Sequence, residues 1–223
     1  MTAALAWRPG GDWIEVNGVC LRYACSGERG PLVVLVHEMC GCIESWDEAV
    51  AVLGDGVRVL RYDQRGFGQS EKQRDITLEA QVADLAALLD ALHVDGPVWL
   101  SGGALGATVC LAFAQAFPAR VAGLLIASPA TSGPPTDAGR AAMNRWMHQV
   151  AEGGMRAITD AMFVTTYPPE LVVPPERIAQ HRLRWLSADP ESFIALIRMS
   201  MTLDLAPLLP AIAAPVTVVG CRQ

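Results

Sequence analysis

The sequence predicts an α/β protein: a doubly wound, mostly parallel sheet with a helical insertion before its last strand. Three observations carry this. The strand-length run PLVVLV (31–36) is apolar without alternation, as expected of a strand covered on both faces, and VRVLRY (57–62) is read as another such strand. Helix-patterned stretches separate them, so strands and helices alternate. With 52% of 223 residues hydrophobic and 18% charged, the chain has enough apolar material for one large core.

Taken in order, Trp13 to Ala24 reads as an antiparallel hairpin whose Asn17-Gly18 break is a two-residue turn signal. The strand 31–36 follows, then a helix over 45–53 and the strand 57–62. LEAQVADLAALLDAL (78–92) places Val82, Leu85, Leu88, Leu89 and Leu92 on one helical face, with Glu79, Asp84 and Asp90 elsewhere; it stops at His93 and Gly96. A strand over 97–100, a small-residue helix over 106–117 and a strand over 121–127 come next. From 131 to 205 the composition turns rich in Met, Trp and Arg, with helical periodicity and no convincing strand. VTVVG (216–220) returns to the sheet. The expected organisation is therefore a core of residues 1–130 and 206–223 carrying a helical cap at 131–205.

The formal charge is −6 and the 17 basic residues are scattered. That disfavours a nucleic-acid or anionic-membrane partner and points to a small-molecule substrate. Cys20, Cys25, Cys40, Cys42, Cys110 and Cys221 are expected to be reduced thiols used as small hydrophobes. The start MTAALAWRPGGDW lacks a secretory pattern, and no run approaches the roughly 20 apolar residues of a membrane span. A cytoplasmic location is the expectation. Cys40-Gly41-Cys42 has no second pair and no histidine at ligand spacing, so no metal is expected. No organic cofactor is expected either: GGALGA is not a G-x-G-x-x-G, and no acidic ribose partner follows at the right distance.

The chemistry concentrates in VWLSGGALGA (98–107). A sharp strand-to-helix turn that displays a nucleophile needs small residues two before and two after its apex, because the backbones come too close for larger side chains. Gly102 and Gly106 meet that need around Ala104; moving the apex to Ser101 would put Trp99 at a small-residue position. Taken alone, the stretch is also compatible with a plain tight connection. After the strand at 31–36, the loop HEMCG can aim the Met39 amide at the sheet's C-terminal edge, and the Leu105 amide opens the helix after the turn. Together they make an oxyanion hole. His37 is read as a hydrogen-bonding organiser of its loop. In DQRGFGQS (63–70), Asp63 and Arg65 are read as architectural, satisfying loop amides and carbonyls around glycines.

VVLVHEMCG, YDQRGFGQS and GGALGA before a small-residue helix together resemble the α/β-hydrolase fold family, in order and spacing, from about residue 13 onward. The insertion is similar, more loosely, to the cap of the 3-oxoadipate enol-lactonase branch, although Thr165-Thr166-Tyr167 stands where that branch usually has tryptophan. The resemblance implies a serine hydrolase of small, carboxylate-bearing esters or lactones, of the kind found in aromatic catabolism. It also marks departures. Ala104 occupies the nucleophile position, Glu38 replaces a glycine, and the family's acid and histidine fall beyond Gln223, so neither is expected in this chain. Asp137 is a fallback acid; His93, His148 and His181 match no base position. The favoured reading is an inactive, nucleophile-to-alanine form of such a hydrolase, the chain ending early. The alternatives are a carbon–carbon bond or amide hydrolase of the same fold, or a non-catalytic ligand-binding homologue. Glu38, Arg145, Trp146, Met162, Phe163 and Trp185 are the expected substrate-binding residues; the sequence does not specify an oligomeric state.

Overall fold

A computed structural model describes residues 10–134, 136–168 and 170–220. Strand β1 (Gly10–Val16) and β2 (Val19–Ser26) form the expected hairpin, with Asn17 and Gly18 both at positive φ, as the turn matching strand twist requires. In β2, Val19, Leu21, Tyr23 and Cys25 are buried in alternation, so one face meets the core. The remaining strands are β3 (Leu32–Val36), β4 (Arg58–Tyr62), β5 (Val98–Gly103), β6 (Val121–Ala127) and β7 (Val216–Val219). They assemble in the order β1-β2-β4-β3-β5-β6-β7, parallel from β4 to β7 and antiparallel on the β1-β2-β4 side. The predicted α/β class and mostly parallel sheet are what the chain forms.

Helices α1 (Asp47–Leu53), α2 (Leu78–Ala91) and α3 (Leu105–Ala116) connect the strands. Helix α2 starts where the Thr77 hydroxyl accepts from the Ala80 amide. Helix α3 is buried along nearly its whole length, consistent with its run of small and apolar residues. The chain steps from β3 out to β4 and then back across β3 to β5, so the strand order reverses between β3 and β5. That reversal opens a crevice at their C-terminal ends. His37-Glu38 leaves one of those ends and Gly103-Ala104 the other.

Between β6 and β7 lie α4 (Asp137–Thr166), α5 (Pro175–Ser187) and α6 (Pro190–Met201). The two ends of this insertion run side by side: Gly133 donates to the Leu203 carbonyl at 2.7 Å and Leu205 to that of Thr131 at 2.8 Å. No helix among the described residues is long and apolar enough to cross a membrane.

Three sequence readings are corrected here, and the insertion's first helix gains a break that none of the readings addressed. A 3-10 turn over Ile43–Trp46 precedes α1, so the helix begins two residues later than expected. Strand β5 extends to Gly103, which carries the pairing with β6 right up to the turn. Helix α4 is two helices joined at Gly154, whose φ of 64° and ψ of −173° break the helical path. Asp84, placed on the polar side of α2, is instead buried at 1% exposure, where its carboxylate accepts from Arg65 Nε at 2.6 Å and Nη2 at 2.7 Å.

Candidate active site

The turn at the end of β5 has the geometry the glycine spacing predicts. Ala104 sits at φ 48° and ψ −117°, a conformation that costs an L-residue about 1–3 kcal/mol and persists only where its surroundings impose it. They do. Its amide donates to the Ala127 carbonyl at 2.9 Å, and its carbonyl accepts from Thr108 at 3.2 Å. A Cβ on Gly102 would lie 2.6 Å from the backbone of Gly106, and one on Gly106 would lie 2.2 Å from the Val36 carbonyl oxygen. Ala104 is exposed at the apex, whereas Ser101 lies within β5. Leu105 is the first residue of α3, so its amide has no intrahelical carbonyl to meet.

The loop after β3 is held by a histidine, as expected. His37 is 1% exposed; its Nε2 accepts from the Gln64 amide at 2.9 Å and its Nδ1 lies 2.7 Å from the Glu38 carbonyl. A ring nitrogen that accepts from an amide carries no proton, so the proton is on Nδ1 and is donated to that carbonyl. Gly41 donates to the same oxygen at 2.9 Å. With the Glu38 carbonyl fixed on one side, the trans peptide sends the Met39 N–H to the other. The Gln64 amide group adds a bond from Nε2 to the His37 carbonyl at 2.8 Å. Asp63 and Arg65 take the expected architectural roles: Asp63 accepts from the Ile43 and Gln69 amides at 2.6 and 2.7 Å, and Arg65 donates to the Asp75 carbonyl. A Cβ on Gly68 would lie 2.2 Å from the Asp63 carboxylate, which explains that glycine.

Beside this loop, a cavity of about 790 Å³ opens between core residues that include Glu38, Ser45 and Glu48 and insertion residues that include Tyr167, His181 and Arg184. Glu38 thus reaches a cavity wall, where it accepts from the Ser45 hydroxyl at 3.0 Å. Phe163 and Trp185 belong to an aromatic group around His181, with ring centroids 4.9 Å (Phe163) and 6.3 Å (Trp185) from it. The other expected residues are more dispersed. Trp146 and Met162 are half-buried against the core, Met39 likewise, and Arg145 is exposed on α4. The fallback acid Asp137 pairs with Arg140 on the surface.

Sequence reasoning missed Tyr167, His181 and Arg184 as a group. Trp185 Nε1 donates to His181 Nε2 at 3.1 Å, and Tyr167 Oη lies 2.7 Å from His181 Nδ1. Phe163/Tyr167 and His181/Trp185 are each four residues apart, the one signal that each pair shares a helical face. Burial lowers the His181 pKa below its ordinary 6.5; Glu38 opposes and Arg184 reinforces that shift. A histidine so shifted lends its stability above the ordinary value and loses it as the pH falls through the folded-state pKa. Acidification from pH 7.5 to 5 is therefore expected to lower the melting temperature and alter tryptophan emission as the Trp185 bond is lost. His181→Phe should flatten that dependence; an unchanged profile would show that His181 does not titrate there.

Cys42, Glu44 and Asp63 bring donor atoms within 4.8 Å of one another. They suit a metal poorly: Glu44 is paired with Arg22, Asp63 is committed to two amides, and burial pushes the Cys42 thiol up to about 12. The five cysteines among the described residues are free thiols; Cys221 lies outside those residues.

Residues 31–188 match the family model described as the alpha/beta hydrolase fold. Among curated proteins, the chain is 36% identical over 136 residues to epoxide hydrolase A of Mycobacterium tuberculosis, covering 57% of this chain and 42% of that protein. It is 32% identical over 127 residues to the proline iminopeptidase PfmaB of Pestalotiopsis fici, covering 54% and 44%. The matches thus span less than half the length of these two relatives. Among solved structures, the enol-lactonase from Burkholderia xenovorans LB400 superposes with a TM-score of 0.83 at 26% identity, over 94% of this chain and 80% of that one. A thermophilic esterase from Thermogutta terrifontis gives 0.81 at 29% identity, over 94% and 79%.

Proposed function

We propose, from the fact that this chain belongs to the α/β-hydrolase fold family, that it is built to bind a small, carboxylate-bearing ester or lactone at a nucleophile turn whose reacting side chain is alanine. The observation that carries the reading is the backbone of Ala104. Nothing in an alanine side chain calls for φ 48°, yet two glycine contacts and a pair of backbone hydrogen bonds hold it there, at the head of α3 and the C-terminal edge of the sheet. In a hydrolase, this conformation lifts a nucleophile above the sheet. A serine there would attack the carbonyl while the Met39 and Leu105 amides stabilise the oxyanion. With a methyl group the attack is impossible, whereas both donors and the binding surface are kept. The enol-lactonase and esterase neighbours support ester or lactone chemistry, whereas the epoxide hydrolase and iminopeptidase relatives are named for other substrates.

Ala104→Cys tests this in the 223-residue protein. A thiol is nucleophilic without a partner base, and the N-terminus of α3 favours its thiolate. The background is the same protein carrying Cys20→Ser and Cys221→Ser, with Ala104→Cys added to it for the test, since burial raises the thiol pKa of the remaining Cys25, Cys40, Cys42 and Cys110. Stopped-flow release of p-nitrophenol from p-nitrophenyl acetate should show a stoichiometric burst about tenfold or more faster than the background, because the oxyanion donors act on the acylation step. A rate equal to that of an exposed cysteine in a peptide would overturn the reading.

A further inference from the structure

The cavity beside the β3 loop presents two unspent hydrogen-bond donors on its insertion side. The first is Arg184. It lines the cavity, no carboxylate among the described residues pairs with it, and its Nε–H is buried without an acceptor. Apart from Glu38, the other carboxylates of the cavity and its other arginine are already matched: Glu48 with Arg177 at 2.5 Å, Glu44 with Arg22 at 2.5 Å and Asp47 with Arg61 at 2.5 Å. A buried donor on a cation costs more to leave unpaired than a neutral one, so its natural complement is an anion.

The second donor follows from proton counting. An indole N–H only donates, so His181 Nε2, which receives it from Trp185, is unprotonated. The ring's proton is therefore on Nδ1 and is given to the Tyr167 oxygen at 2.7 Å. That leaves the Tyr167 O–H free to donate, from a residue that lines the same cavity as Arg184. On the facing wall, the Glu38 carboxylate accepts from the Ser45 hydroxyl and has no ion-pair partner among the described residues, and it lies close enough to influence both Tyr167 and His181.

We infer that this cavity is a carboxylate subsite in which Arg184 and Tyr167 donate to the ligand's carboxylate, while Glu38 disfavours a second carboxylate at its far end. The ligand class is a small organic monocarboxylate. The assignment rests on the reading of the chain as a hydrolase-fold binder of carboxylate-bearing substrates and names the residues that would select them; Arg145, exposed on α4, has no part in it.

Calorimetric titration with levulinate, methyl levulinate and succinate tests the subsite. Levulinate should bind saturably, with methyl levulinate and succinate each about tenfold weaker or more. Arg184→Gln should weaken levulinate about tenfold, Tyr167→Phe by a smaller factor, and Arg184→Lys should fall between Arg184→Gln and the unsubstituted protein, since it keeps the charge and loses the fork. Arg198→Gln, an exposed arginine on α6, should change nothing, and circular dichroism with melting curves identifies any variant that has lost its fold. Equal binding of levulinate and its methyl ester, indifference to Arg184→Gln in a folded variant, or no saturable carboxylate binding would each overturn the assignment. If Arg184 proves irrelevant while Ala104→Cys still gives the acylation burst, the subsite alone fails. Arg184-dependent binding in a protein where Ala104→Cys gives no burst would sink the hydrolase reading and leave the subsite standing.

Discussion

Gly106→Ala is expected to lower the melting temperature by about 10 °C or to prevent folding, whereas Gly103→Ala, three residues away, leaves it nearly unchanged. The added Cβ at 106 would sit 2.2 Å from the Val36 oxygen, 2.5 Å from the His37 oxygen and 2.8 Å from the Val36 carbonyl carbon. All three are backbone atoms at the end of β3, so no side chain can swing aside. Relief requires α3 to move off the central strand, and α3 is buried along most of its length. Overpacking of a well-packed core costs about 1–3 kcal/mol, and backbone clashes belong to the upper tail of about 3–5. At 103 the same methyl group meets nothing within 4 Å. Thermal denaturation of the pair separates a general intolerance of side chains near the turn from the specific contact between α3 and the β3 loop. Equal melting temperatures would mean that α3 is not seated on β3 as described.

The turn was legible in the sequence because its constraint is local: two glycines at fixed offsets from an apex report a close approach wherever they occur after a strand. The hairpin at Asn17-Gly18 and the strands at 31–36 and 121–127 were legible for the same reason, their signals lying within a few residues. Asp84 was not. It belongs to the buried stripe of α2 by position, four residues before Leu88 and three after buried Gln81, but its charge argued for solvent. Its partner, Arg65, lies nineteen residues earlier, and a pairing across that distance leaves no periodic trace in one sequence. The Tyr167, His181 and Arg184 group was hidden for a related reason. Helical spacing tells that Phe163 and Tyr167 share a face, and likewise His181 and Trp185, yet the meeting of those faces is decided by how α4 packs on α5. The break at Gly154 bears on that packing, and nothing in GGM fixes its direction.

Asp84→Asn is expected to cost about 3–5 kcal/mol of folding free energy, and more than the removal of both partners together. Asp84 and Arg65 have side-chain exposures of 2% and 9%, so deleting one charge leaves the other desolvated with no counter-ion. Asp84 also accepts from Asn17 Nδ2 at 3.1 Å, which ties the β1-β2 turn to the same carboxylate. Arg65→Met with Asp84→Leu removes the desolvation penalty along with the pair, so the double variant should regain much of what the single one loses; urea denaturation of all four proteins measures the coupling directly. The effect should not stop at stability. Gln64 precedes Arg65, its amide holds His37 Nε2, and His37 Nδ1 in turn fixes the Glu38 carbonyl whose peptide aims the Met39 N–H. A loosened Arg65 loop therefore blurs one of the two proposed oxyanion donors. Added to Ala104→Cys, the Asp84→Asn change is expected to slow acylation by about tenfold under conditions where the protein is still folded. An acylation rate unaffected by Asp84→Asn would show that the Met39 amide is set by its own loop alone, without support from the chain through His37, Gln64 and Arg65.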